Sequence, residues 1–204
     1  MKTYTTFVVL ISTLVLFSCR DENLVSKEEM KNMIWKKEAR YINTLEEARN
    51  EIEEKIVKLN KFFEERNIEG MLFTQVRNVN WITVGRVNTQ IVLNKDVGAA
   101  SLLIMKDGKK YCICNGSEAG RLMNEDLKDL GYELRVYNWY EANPVKDTRG
   151  EIIKGIAGTS RIGSDINFPG TILLSEEFKP LRYSLTDSEI KRYRWLGWQT
   201  TPCR

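Results

Sequence analysis

Helix and strand patterns alternate along most of this chain, and that alternation predicts an α/β fold. Three observations carry the expectation. Residues 45–63 place Leu45, Ala48, Ile52, Ile56, Leu59 and Phe63 three or four positions apart, the spacing of one apolar helix face. Met71-Leu72-Phe73-Thr74 follows as a short apolar run, as a strand covered on both faces requires. Residues 99–105 and 109–114 flank Asp107-Gly108, a tight-turn pair, and so read as an antiparallel hairpin.

Taken in order, Thr44 can cap the first helix, with Glu46 and Glu47 in the first turn where the helix dipole favours acids. The helix is expected to end near residues 67–70, and its Glu and Lys residues read as a solvated face. Residues 84–93 carry enough apolar and β-branched side chains to predict a further strand. Asn115-Gly116-Ser117 should break the hairpin's second strand and cap a helix over 118–130, closed by Gly131 ahead of a strand at 133–137. Asn143-Pro144 marks a loop, 150–157 fits a short helix, and 161–164 fits a short strand leading to Asp165 and Pro169. Residues 172–178 suit helix or strand equally. Thr186-Asp187-Ser188-Glu189 has the spacing of a capping box and opens a helix through Ile190, Tyr193 and Leu196 that Gly197 and Pro202 should stop.

Composition narrows the function. The 204 residues, 42% of them hydrophobic, suit one domain with accessory segments. The 31 basic and 28 acidic residues are interspersed, so no basic field is expected and nucleic acid is not an expected partner. The chain contains no histidine, which removes the commonest general base, the commonest transition-metal ligand and the triads built on imidazole. No catalytic residue, metal ligand or cofactor is assigned. Cys112 and Cys114 fall on one face of a strand, where they read as small buried residues rather than a disulfide or zinc ligands.

The N-terminus reads as an address. Lys2 precedes an apolar stretch from Phe7 to Phe17, then Ser18 and Cys19, which is the pattern of a secretory signal over residues 1–18. Leu16-Phe17-Ser18-Cys19 resembles a bacterial lipobox, with Cys19 as the lipidated residue. The expectation is an exported lipoprotein of the bacterial cell envelope, anchored to a membrane through that lipid. Residues 19–43 read as a polar tether, 44–184 as the α/β domain and 185–204 as a truncated linker helix and tail.

Four segments give a more specific expectation. They are the passage Phe62 to Thr74, containing Asn67-Ile68-Glu69-Gly70-Met71-Leu72-Phe73; Asn78-Val79-Asn80-Trp81-Ile82-Thr83-Val84-Gly85; Ile162-Gly163-Ser164-Asp165; and Ser184-Leu185-Thr186-Asp187-Ser188-Glu189-Ile190. In this order and spacing the chain resembles the N-terminal domain of the creatinase, prolidase and Xaa-Pro aminopeptidase family. The second segment departs from that family's Leu-Thr-Gly, because Val84 separates Thr83 from Gly85. The resemblance implies a mixed β-sheet flanked by helices, ribonuclease H-like in shape. It also implies roles in dimer formation and at the substrate entrance, with the metal site on a following pita-bread domain. The fourth segment, Ser184 to Ile190, resembles the linker helix into that domain.

The first functional reading is therefore a non-catalytic N-terminal domain of a secreted Xaa-Pro peptidase-like protein, working as a homodimer or with a missing catalytic half. Trp81, Arg86 and Asn88, in or just after the second segment, are its candidate interdomain or dimer contacts. The alternative is an independent lipid-anchored cell-envelope binding module that uses Trp139-Tyr140 and the Trp195–Trp198 region. A carboxylate hydrolase is the weakest reading, since no convergent acid pair can be placed, and Asp165 reads as a turn or cap residue.

Overall fold

The computed structural model describes residues 44–141 and 148–200, apart from the side chains of Trp139, Trp198 and Gln199. The expected signal peptide, Cys19 and the tether up to residue 43 lie outside the described residues, as do Asn143, Pro144, Pro202 and Cys203. Described residues up to Arg194 form one compact unit, and Trp195–Thr200, the end of the last helix, belong to another.

Helix α1 spans Leu45–Arg66 and starts on the expected cap: the Glu47 amide donates to Thr44 Oγ1 at 3.2 Å while the Thr44 amide donates to Glu47 Oε2 at 2.9 Å. It ends where Asn67 turns left-handed, φ 51°, a conformation Asn tolerates better than most residues. Strands β1 (Gly70–Gln75), β2 (Val97–Met105), β3 (Lys110–Asn115), β4 (Tyr132–Tyr137), β5 (Ile162–Ser164) and β6 (Ile172–Leu173) form one sheet in the order β4-β3-β2-β1-β5-β6. Pairs β1–β2 and β2–β3 are antiparallel, whereas β3–β4, β1–β5 and β5–β6 are parallel, so the sheet is mixed. At its start Gly70 lets β1 lie tightly against β2, because a Cβ there would stand 2.8 Å from the Ile104 carbonyl oxygen.

The two-residue period of the strands sorts their side chains into two cores. Met71, Phe73, Leu102, Ile104, Cys112 and Cys114 face α1, meeting Ile52, Leu59, Phe62 and Phe63. Leu72, Leu103, Tyr111 and Ile113 face the other way, toward Ile153 of α4 (Thr148–Ala157). Both cysteines are buried and free, as the sequence pattern implied.

Several elements differ from expectation. Residues 84–93 form no strand. Helix α2 (Val76–Ile82) ends in a Schellman-type cap in which Gly85 N–H donates to Asn80 O at 2.7 Å and Val84 N–H to Trp81 O at 3.3 Å, with left-handed φ of 57° at Val84 and 72° at Gly85. Two successive left-handed residues turn the chain out of extended geometry before the apolar run begins, and Ile91 and Leu93 stay exposed. The extra residue that separates Thr83 from Gly85 is thus the one in the left-handed position that glycine normally takes. Helix α3 (Gly116–Arg121) starts on the Asn115 cap but widens into a π turn over Leu122–Asp126, well short of residue 130. Residues 172–178 divide between β6 and α5 (Ser175–Tyr183), and α6 (Asp187–Thr200) runs through Gly197.

Candidate functional site

The sequence reading treated every Glu and Lys of α1 as solvated, and the structure overturns this for two of them. Lys55 is 1% exposed and Glu51 3% exposed. Their positions explain it: Glu51 lies three residues after Ala48, and Lys55 lies three after Ile52 and four before Leu59, so both sit on the buried stripe. That spacing is the signal a reading by residue type misses.

A buried cation needs partners, and α6 supplies them. Lys55 Nζ reaches Glu51 Oε1 at 2.9 Å, Glu189 Oε1 at 2.8 Å and the Trp81 carbonyl at 2.7 Å, which accounts for its three donors. The Arg192 guanidinium grips both oxygens of Glu51, at 2.7 and 2.6 Å. Two carboxylates and two cations balance, so the cluster carries no net charge, the condition for burying ions tolerably. Burial pushes the Glu51 carboxyl up, but hydrogen bonds from Arg192 and Lys55 outweigh it and hold the group below its ordinary range. Glu189 does double duty. Its second oxygen accepts from the Thr186 amide at 2.8 Å while its own amide donates to Thr186 Oγ1 at 3.0 Å, completing the capping box. The first turns of α6 are therefore latched to α1 and to the end of α2. An aromatic bracket surrounds the latch: Lys55 Nζ stands 5.1 Å from the Trp81 ring, which meets Phe178 of α5 edge-on at 5.3 Å.

Trp81 is thus buried inside this junction. Arg86 is half-buried in the loop after α2. Asn88 is exposed and joins a different cluster, its amide donating to Asp126 Oδ2 at 3.2 Å and its carbonyl accepting from Arg121 at 2.9 Å. Of the aromatic candidates, Tyr140 is exposed and Trp195 half-buried.

Asp165 occupies a second buried node, where β1 and β5 end side by side. Its carboxylate accepts from the Thr74 and Gln75 amides and from Asn78 Nδ2, each at 2.9 Å. It therefore ties the end of β1 and the Asn78 side chain of α2 to β5. Burial drives its carboxyl above the ordinary range against the pull of those three donors. Beneath it Thr74 and Ser101 share a hydrogen bond and both accept from Arg149, whose guanidinium lies 5.0 Å from the Phe168 ring. Among the described residues no group of three or more Asp, Glu or Cys is placed to hold a metal ion. The buried carboxylates have their oxygens committed to the protein's own donors. Chemically the junction can hold a helix in one orientation.

No protein-family model matches the sequence, and no curated protein matches it. Solved structures do. Dipeptidase PepE from Mycobacterium ulcerans superposes with a TM-score of 0.53 at 13% identity, over 70% of this chain and 39% of that one. The overlap shows that this chain shares the fold of that part of PepE, and solved creatinase/prolidase N-terminal domains are among the other matches. The Creatinase/Prolidase N-terminal domain of an X-PRO dipeptidase from Streptococcus pyogenes is matched at 12% identity and a TM-score of 0.39, over 62% of this chain and 98% of that one. The prolidase from Pyrococcus horikoshii is matched at 16% identity and a TM-score of 0.46, over 68% and 37% respectively. This chain therefore spans about two fifths of PepE's length. α6 is the last described element of the chain, and the latch lies in its first turns.

Proposed function

We propose that this chain serves as the non-catalytic N-terminal domain of a Xaa-Pro peptidase-like protein, holding a metal-binding catalytic partner in place through α6. The observation that carries the reading is the latch: three buried charged groups and the half-buried Arg192 fix the start of one helix, the helix whose sequence resembles the linker into the catalytic domain. A scaffold that must aim another domain needs its exit helix fixed, and a bidentate Arg–carboxylate pair fixes direction as well as position. The open notch lined by Arg182, Tyr183, Leu185 and Tyr193, with both tyrosines more than 60% exposed, leaves apolar surface at the root of α6 for such a partner. Export and membrane attachment through Cys19 complete the proposal and would place the assembly in the cell envelope.

The test uses the full chain with a divalent metal and a set of Xaa-Pro dipeptides. No turnover above buffer, together with no stoichiometric Mn²⁺ uptake by calorimetry, is the expected result. Chelator-sensitive hydrolysis by this chain alone would overturn the proposal.

A further inference from the structure

Two helical pairs show how this chain treats opposite charges three positions apart. Glu118 and Arg121 close to 2.9 Å, and Glu176 and Lys179 close to 2.6 Å. Glu151 and Lys154 of α4 have the same spacing and the same order of charge. Yet among the described residues neither forms an ion pair, with the other or with any third group. Both line a cleft of about 520 Å³ between α4 and the turn that follows β5.

The cleft is built of fixed parts. Its floor is apolar, with Ile153 and Ile162 buried and Ala157 half-buried. Its far wall is a turn closed by the Thr171 amide, which donates to the Phe168 carbonyl at 3.2 Å. Pro169 and Gly170 fill the two corners, and Gly170 has φ 77°, so the turn is type II. Proline presets one corner and glycine takes the left-handed one without strain, so this wall needs no ligand to shape it. A Cβ on Gly170 would meet no atom within 4 Å, so the turn borders open space. A concave site of about 300–1,000 Å³ with an apolar floor and a few placed charges is the usual form of a small-molecule site.

We propose that this cleft binds a small zwitterion, an α-amino acid with an aliphatic side chain. The ligand's ammonium faces Glu151, its carboxylate faces Lys154, and its side chain lies on Ile153 and Ile162. Side chains three positions apart on a helix stand about 5–6 Å apart at Cβ, so a ligand that answers both must carry its two charges on adjacent groups. A simple anion would meet Lys154 but face Glu151, and a simple cation would do the reverse. Keeping the two side chains apart costs little, because an exposed ion pair contributes only about 0–1 kcal/mol.

The proposal does not rest on the peptidase reading, and its test uses neither turnover nor metal. The full chain, labelled with nitrogen-15, is titrated with leucine, with leucinamide, which lacks the carboxylate, and with 4-methylpentanoate, which lacks the ammonium. Leucine should shift the amides of residues 150–158 and 168–171 with a Kd of about 1 mM, and each analogue should bind at least about tenfold more weakly. Lys154→Met should remove the preference for leucine over leucinamide, and Glu151→Gln the preference over 4-methylpentanoate. Both positions are exposed, so the circular dichroism melts of the variants should match the wild type. No shift at these amides with leucine at about 20 mM would overturn the proposal, since a Kd near 1 mM saturates there. So would leucine binding no better than its analogues, the mark of an apolar patch alone, or preferences that survive both substitutions.

Discussion

The latch at α6 and the node at Asp165 bury carboxylates in opposite ways. At the latch, Glu51 and Glu189 are neutralised by Lys55 and Arg192, and Glu51 meets a residue 141 positions away. At the node, Asp165 is held by two backbone amides and one side-chain amide, and among the described residues no cation pairs with it. A full charge with cationic partners is sensitive to losing any one of them, because the remaining ion stays buried. A carboxylate held by neutral donors shares its cost over several weaker bonds, and it can also shed its charge by protonation. The latch therefore makes one late helix all-or-none, while the node joins the ends of β1 and β5 inside the sheet domain. Both employ their acids structurally.

The largest expected effect separates the two directly. Lys55→Met leaves Glu189 buried without a cation and Glu51 with Arg192 alone, and should cost about 3–5 kcal/mol in a denaturant melt. Replacing Glu51, Lys55, Glu189 and Arg192 together by apolar residues of similar size should recover most of that loss, since burying no ions is often as favourable as burying matched ones. Asp165→Ala comes next. It orphans the Thr74 and Gln75 amides and the Asn78 amide, and a loss of about 1–3 kcal/mol is expected in the same melt.

Acid sharpens the contrast further. Glu51 has a folded value below its ordinary 4.5, so its stabilising contribution is complete above that value and is lost as pH falls through the lower folded one. Asp165 has a raised folded value, so protonation relieves it and it contributes nothing to acid lability. Acid titration followed by fluorescence should show Arg192→Met moving the acid transition to higher pH, with Asp165→Asn leaving it in place. The smallest effect is a control: the Lys179–Glu176 pair is exposed, and Lys179→Ala should change stability by less than about 0.5 kcal/mol.

The elements legible in the sequence are those whose cause is local. The α1 stripe, the Asp107-Gly108 hairpin, the Thr44 cap and the Thr186 capping box each depend on residues a few positions apart, and all appear as expected. The missing strand at 84–93 shows the opposite case, where strand propensity yields to a backbone turn set by Val84 and Gly85 just upstream. The latch lay half in view. The spacing of Glu51 and Lys55 put them on the apolar stripe, but their partners come from a helix far along the chain that no local pattern connects to them. Asp165 was read as a cap or turn residue, whereas it binds the last amides of β1 and the Asn78 side chain, a link visible only once β1 and β5 lie side by side.

Hydrogen exchange on residues 187–194 reaches the central claim most directly. If the buried ions hold the root of α6, these amides are protected in the wild type and lose protection in Lys55→Met while β1, β2 and β3 keep theirs. Equal protection of 187–194 in both proteins would contradict the account, because the helix would then be held by something other than the latch.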